Sequence, residues 1–231
     1  TVAIASELGA ILSGITYEIA KAAKDAANPT QEQIDIILHR KGLKATGFGI
    51  IYGIGALKLG MQLGMPIVKK RYKNGHVRDW CPEAQKLIND YLEAIYPGVG
   101  QFIRDTHEIC REDLAVYTLF GHPRRLPDII SRDRGLRGQA ERQSVNSIIQ
   151  GSGADITNRA MLRCEGDKEL RRLGVRLLLQ IHDELVFEVP KDKKYIEPAR
   201  ARIKELMEDH DGLRVPITIS MDVADSWGDA K

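Results

Sequence analysis

The stretch LLLQIHDELVFEV, Leu177 to Val189, sets His182, Asp183 and Glu184 in the middle of an otherwise apolar run. Two apolar segments of strand length, joined by ionisable residues, predict an antiparallel hairpin with Asp183 and Glu184 in its turn. Such a turn is either a solvated connection or a pair of carboxylates held rigidly at one end of a sheet. Working outward, Leu136 to about Cys164 has the pattern of a long polar-faced helix, with the small-residue patch Gly151-Ser152-Gly153-Ala154 expected to interrupt it. Downstream, Ile196 to Met207 is helical by pattern, and the β-branched run from Val215 to Val223 predicts a strand.

The first half of the chain is helical by the same criteria. Residues 2 to 27 are Ala-rich with apolar positions at helical spacing, up to Asn28-Pro29. Thr30 followed by Gln33 is a capping-box signature that opens a new helix. That helix, or a pair broken near Lys41-Gly42, is expected to run through GFGIIYGIGALKLG and close at Gly64-Met65-Pro66. Pro82 to Ile95 carries a 3.6-residue apolar stripe that stops at Tyr96-Pro97-Gly98, and another helix follows to about Asp113. TLFGHPRRLP predicts strand, turn and strand, with Gly121 and Pro123 in the turn. Helices come first and a helix-backed antiparallel sheet comes last, so the fold class is α+β rather than alternating βαβ.

Composition narrows the function classes. A formal charge of +2 over 231 residues gives no global affinity for polyanions, so any such case rests on local clusters. Lys69, Lys70, Arg71 and Lys73 crowd one segment. Arg124, Arg125, Arg132, Arg134, Arg137 and Arg142 stud another, where guanidinium forks suit phosphate. Cys81, Cys110 and Cys164 are far apart and lack CxxC pairing, which supports neither a disulfide framework nor a zinc site and points to a reducing cytoplasm. No apolar run is long enough to span a bilayer, and no membrane partner is expected.

Three sets of residues carry chemistry. Arg40, Lys44, Phe48 and Tyr52 recur at i+4, each about 40° round from the last, so two cations followed by two aromatics share one helix face. Two cations a turn apart suit a polyphosphate, and a ring beyond them can stack on a base or sugar. Gly47, Gly49 and Gly53 beside them cost roughly 1 kcal/mol each in a helix, an expense that close approach by another backbone or a ligand would explain. Arg142, Asn146 and Gln150, again at i+4, offer groups to phosphates and base edges, although a polar stripe alone is also the mark of a wet helix face. Asp183 and Glu184 offer the oxygen ligands that Mg²⁺ takes alongside retained waters. In nucleotidyl transfer two such ions about 4 Å apart activate the attacking hydroxyl and stabilise the leaving pyrophosphate.

Taken together these segments resemble the family A DNA polymerases, the bacterial polymerase I and phage replicase group. Arg40-xxx-Lys44-xxx-Phe48-xxx-Tyr52-Gly53 is similar to motif B on the fingers O helix, and QIHDELVFEV to motif C in the palm. ERQSVNSIIQGSGADI is similar to the stretch between them, with YPGV at Tyr96 and LPDI at Leu126 as further landmarks, so the likeness covers roughly Arg40 to Trp227 in order. It implies a right-hand fold with residues 1–29 as a helical segment after motif A, 30–118 as fingers and 119–231 as the C-terminal palm. It further implies that Arg40 and Lys44 grip the triphosphate of a dNTP, Phe48 packs on the incoming nucleotide and Tyr52 lies near the templating base. Arg142, Asn146 and Gln150, with Arg124 and Arg125, would follow primer-template DNA, and His182 would touch the primer end. Asp183 would hold catalytic Mg²⁺, one of two ions, with Glu184 in support and Lys44 beside the reacting phosphates.

The chain departs from the family pattern at motif A, DxSxxExR, which supplies the other metal-binding aspartate and is absent. A register that places Glu7 on that motif's glutamate leaves Val2 on the aspartate position. The thumb and exonuclease domains have no counterpart either. The expectation is therefore one chain of a split phage or bacterial polymerase, inactive alone and needing an N-terminal chain that carries motif A and the thumb. Thr1 in place of an initiator methionine suits a split gene, intein excision or a truncation. Two other readings are a non-catalytic nucleic-acid-binding subunit that kept the fold, and a single-subunit RNA polymerase. Against the latter stand His-Asp-Glu in place of His-Asp-Ser and the FGxxYG pattern after Lys44.

Overall fold

The computed structural model describes residues 22, 30–33, 46–73, 75–208 and 213–229. They form an α+β chain of helices with short antiparallel strands, and they fall into two compact units. One is drawn from Thr1–Leu114 and Leu126–Val145, the other from Ala115–Arg125 and Asn146–Lys231.

In the first unit the capping box forms as the spacing predicts. The Thr30 N–H donates to Gln33 Oε1 at 2.9 Å and the Gln33 N–H donates to Thr30 Oγ1 at 3.3 Å. The glycine-rich stretch does not stay helical throughout. Helical residues 46–51 end in a Schellman motif: Gly53 takes a φ of +78°, its N–H donates to the Ile50 carbonyl, and the Ile54 N–H donates to the Gly49 carbonyl. Helix α1, Ala56–Gln62, restarts beyond the break. A ribbon of β1, Val68–Arg71, and β2, Val77–Trp80, follows in antiparallel register. The apolar periodicity of the preceding helices did not announce it, although Asn74-Gly75 between the strands is a strong hairpin dipeptide.

The stripe from Pro82 begins as α2, Pro82–Asn89, but continues as a π-helical segment, Asp90–Ile95, rather than a uniform α-helix. The Tyr96 N–H donates to the Tyr91 carbonyl, five residues back, and the two rings meet in a tilted pair 5.1 Å apart. Tyr91 is wholly buried, and burial raises its phenol pKa. Helix α3, Pro97–Asp113, starts directly after this segment, with proline in its first turn as helix N-termini tolerate. The core gathers Ile50, Ala56, Leu59, Cys81, Ala84, Leu87 and Tyr91. A 3₁₀ turn, Pro127–Ile130, buries Ile129 and leads into α4, Arg134–Gly166. Asp133 caps that helix: Oδ1 accepts from the N–H groups of Leu136 and Gly135, which hold its carboxyl below the usual carboxylate range.

In the second unit β3, Ala115–Tyr117, pairs with β4, Pro123–Arg125. Gly121, with φ +86°, lies in the turn as expected, whereas Pro123 opens the strand opposite Tyr117. Helix α4 passes through Gly151–Ala154 without a break. The small residues serve packing instead: a Cβ on Gly151 would lie 2.7 Å from the Thr118 methyl. Helix α5, Lys168–Arg172, is capped by Asp167, whose carboxylate also accepts from Arg202 on α6, Lys193–Met207. The Arg202 bond, followed by the Leu170 N–H, holds Asp167 below its ordinary pKa. Strands β5, Arg176–Ile181, and β6, Glu184–Glu188, pair antiparallel with an irregularity between Leu177 and Leu179.

A second core joins Cys164, Leu170, Leu173, Val175, Ala199 and Ile203, with Phe187, Val189 and Met221 packed against it. The sheet expected here is smaller than predicted. The described strands pair only as three two-stranded ribbons, and residues 215–223 form no ladder. Their β-branched side chains favour extended backbone, but a strand also needs a neighbour for its N–H and C=O groups. The Ile219 N–H donates to the Glu208 carboxylate instead. The three cysteines are free and buried, and burial pushes the Cys164 thiol up to about 11. Among the described residues no helix is long and apolar enough to cross a membrane.

Candidate functional site

Asp183 is positioned by backbone geometry. The ladder pairs Ile181 with Glu184, so only His182 and Asp183 remain in the loop and Glu184 opens β6 rather than sitting in the turn. His182 has a φ of +55°, in the region where the first residue of such a loop is usually glycine. A non-glycine residue held there stores backbone strain of order 1–3 kcal/mol, a feature that clusters at functional sites. All three side chains of His182-Asp183-Glu184 are exposed at the tip. Replacing His182 by glycine should therefore raise stability by about 1 kcal/mol, read as a higher urea midpoint at unchanged m-value. An unchanged or lower midpoint would show that the turn is unstrained.

Neither Asp183 nor Glu184 has an ion-pair partner among the described residues, and no three His, Cys, Asp or Glu side chains there are grouped to hold a metal. The donor set still fits Mg²⁺, which keeps several waters and takes only one or two carboxylates from a protein. Beside the tip, Gln180 Nε2 donates to Asn158 Oδ1 of α4 at 3.3 Å, tying β5 to the helix. Leu178 and Leu179 on β5 are 52% and 47% exposed, and among the described residues β5 has a ladder partner on one side only.

Of the motif B residues, Arg40 and Lys44 lie outside the described residues, as do Val2, Glu7 and residues 1–21 generally. Phe48 and Tyr52 stack at 6.3 Å between centroids with an interplanar angle of 12°, so the i+4 spacing does place two rings on one face. The cost of Gly53 has two causes, its positive φ and a close approach. A Cβ there would lie 2.7 Å from Cγ of Arg142, so the end of the aromatic helix and the first residue of the polar stripe meet. In this unit α4 is braced at Glu141, whose side-chain Oε1 accepts from Arg111 at 2.8 Å and whose backbone carbonyl lies 3.1 Å from His107 Nε2.

Further along the uninterrupted α4, Gln150 is exposed, whereas the Asn146 amide oxygen is buried without a hydrogen-bond partner. Arg124 and Arg125 are exposed on β4. The turn before them is anchored on α4 by residues that sequence reasoning passed over. The Leu119 N–H donates to Ser152 Oγ, His122 Nδ1 lies 2.7 Å from Asp155 Oδ1, and the Arg159 guanidinium covers the Phe120 ring at 4.8 Å. The dense run of small residues ahead of Asp155 was the available signal for such a close contact.

The described residues thus include an exposed carboxylate pair on a tight hairpin and, in the other unit, stacked rings on a helix end with an arginine seated against that end. The model for "DNA polymerase family A" matches residues 19–229. The thermostable DNA polymerase I of Thermus filiformis is 38% identical over 192 residues, covering 83% of this chain and 21% of the relative. DNA polymerase I of Bacillus subtilis (strain 168) is 35% identical over 211 residues, 91% of this chain and 22% of the relative. The chain thus spans about a fifth of the length of these relatives. Among solved structures, the POL domain of Pol1 from M. smegmatis, in complex with DNA primer-template and dNTP, superposes with a TM-score of 0.71 at 29% identity, over 99% of this chain and 37% of that one. With the family model matched over nearly its whole length and the fold shared with a solved polymerase domain, this chain belongs to DNA polymerase family A.

Proposed function

We propose that this chain is the fingers and C-terminal palm portion of a DNA-templated DNA polymerase, with residues 30–118 as fingers and 119–231 as palm. The observation that carries the reading is Asp183, exposed at the tip of a strained two-residue turn and next to β5, where Leu178 and Leu179 are exposed and one edge has no ladder partner among the described residues. Such an edge presents unpaired backbone N–H and C=O groups and is suited to pairing with a further strand. The polypeptide carrying motif A, outside these 231 residues, would add that strand and the second aspartate. Asp183, with Glu184 in support, would hold Mg²⁺. When bound there, the cation would supply Lewis-acid stabilisation of charge on the transferring phosphoryl group.

The other roles are assigned to this chain's own residues. Arg40 and Lys44 bind the dNTP triphosphate, Phe48 packs on its base or sugar, and Tyr52, stacked on Phe48, borders the templating base. Arg142, Asn146, Gln150, Arg124 and Arg125 hold the primer-template, and His182 the primer end. The solved relative that was captured with primer-template and dNTP supports these ligands. The test is single-nucleotide incorporation on a primer-template by the chain alone and by the chain mixed with a polypeptide carrying motif A and the thumb. Incorporation is expected only in the mixture. Robust extension by the chain alone would overturn the divided two-metal site. DNA binding without incorporation in the mixture would favour a non-catalytic binding subunit.

A further inference from the structure

The ribbon β1–β2 holds an unbalanced charge. Val68 to Trp80 contains Lys69, Lys70, Arg71, Lys73 and Arg78 against Asp79 alone; five cations and one carboxylate leave +4, while the whole chain sums to +2. The rest of the chain is therefore net negative, and this ribbon is one of its two basic clusters, the other being the arginine series from Arg124 to Arg142. Every residue of both strands is exposed except Trp80, which is partly buried against the core.

The register shows how the charge is arranged. Lys69 faces Asp79 across the ribbon and pairs with it at 2.7 Å, which accounts for one cation. On the opposite face Lys70 lies directly across from Arg78. Like charges directly opposite each other weaken a sheet, and a lone two-stranded ribbon has little stability to spare. Lysines on edge strands can deter aggregation, but that purpose does not call for two cations in one cross-strand pair. Aromatic rings are interleaved with them: Lys70 Nζ lies 4.3 Å from the Trp80 ring centroid and 5.7 Å from that of Tyr72, which is 39% exposed. Cations that follow a phosphate backbone, beside rings that accept unstacked bases, make a surface for single-stranded nucleic acid.

We propose that the β1–β2 ribbon binds a single strand of DNA, with Lys70 and Arg78 on its phosphates, Tyr72 stacked on a base, and Arg71 on the ribbon's other face adding to the local positive field. The choice of DNA over another polyanion rests on the polymerase reading above; the surface itself rests on the ribbon. Fluorescence anisotropy with a fluorescein-labelled, mixed-sequence single-stranded 20-mer tests it on the full 231-residue chain. Combined Lys70→Gln, Arg71→Gln and Arg78→Gln should weaken binding about tenfold or more near 0.1 M salt. It should also flatten the slope of log affinity against log salt by about 1.4 or more, at roughly 0.7 for each of the phosphate contacts of Lys70 and Arg78. Tyr72→Ala should lower affinity about tenfold without changing that slope, and Tyr72→Phe should restore it.

Arg78→Gln alone separates binding from structure. It relieves the repulsion with Lys70, so Tm should hold or rise by about 1–3 °C while affinity falls. A lower Tm would show that the charges are structural and overturn the proposal, as would an unchanged salt slope in the triple variant. A blunt duplex bound as tightly and weakened equally would overturn the assignment to a single strand. Absence of single-strand binding by the unaltered chain would also overturn it, yet nucleotide incorporation by the mixture with the motif A polypeptide would leave the polymerase reading standing. Conversely, loss of single-strand binding in the triple variant, with no incorporation in any mixture, would support the ribbon and sink the polymerase reading.

Discussion

Asp183→Ala is expected, on the proposed reading, to lower the rate of nucleotide incorporation by this chain mixed with a polypeptide carrying motif A about a thousandfold, while leaving primer-template affinity within about threefold. The first figure follows from charge stabilisation of several kcal/mol at the transferring phosphoryl group, at 1.36 kcal/mol per factor of ten. The second follows from placement. Asp183 is exposed in a two-residue turn, has no ion-pair partner among the described residues, and lies beyond the last ladder pair, Ile181 with Glu184. Removing its carboxylate therefore breaks no contact on which the hairpin depends, and a loss of activity reads as chemistry rather than unfolding. Glu184→Ala should cost less, on the order of tenfold, because in the proposed site Glu184 would support the cation rather than supply its main ligand. Asp183→Asn keeps the oxygen but removes the charge and should behave like the alanine variant. Rapid-quench incorporation assays beside anisotropy on the same primer-template separate the two effects. Activity within tenfold of the unaltered protein for Asp183→Ala would remove the metal role.

What the sequence disclosed, and what it hid, follows physical lines. Local signals were legible wherever one interaction dominates: Thr30 with Gln33 formed its capping box, Gly121 took its turn, and the apolar halves around His182-Asp183 paired as a hairpin. The i+4 spacing of Phe48 and Tyr52 put their rings together. Periodicity failed where the competing states share a pattern. An apolar stripe does not distinguish α from π turns, so Asp90–Ile95 was hidden until Tyr96 was seen bonded to Tyr91. Glycine and serine run together in Gly151–Ala154 resemble a helix break, but tertiary contact with Thr118 and Leu119 decides their role. The run from Val215 to Val223 had strand propensity without a ladder partner, and propensity is weak without pairing. The His122–Asp155 contact joins residues 33 positions apart, which no local pattern encodes.

Gly100→Ala is expected to destabilise the chain by about 3 kcal/mol, a fall in Tm of about 6–12 °C for a domain of this size. Gly100 is buried in the first turn of α3, where a Cβ would overlap the Leu92 carbonyl oxygen and lie 3.2 Å from its carbonyl carbon. That oxygen is backbone of the π-helical segment, so it cannot rotate away as a side chain could. Relief requires α3 to move off Asp90–Ile95, and the tight junction at Tyr96 prevents it. There the Tyr96 N–H is committed to the Tyr91 carbonyl, while the Tyr96 carbonyl accepts from Val99 and Gly100. Tyr91 lies in the core beneath, so the displacement would also open a fully buried aromatic site. Gly98→Ala is the control: it lies two residues away in the same first turn, and no atom stands within 4 Å of its added Cβ. Thermal melts should show Gly98→Ala near the unaltered Tm and Gly100→Ala well below it. If the two variants melted together, the contact between Leu92 and Gly100 would not be what fixes the π segment against α3.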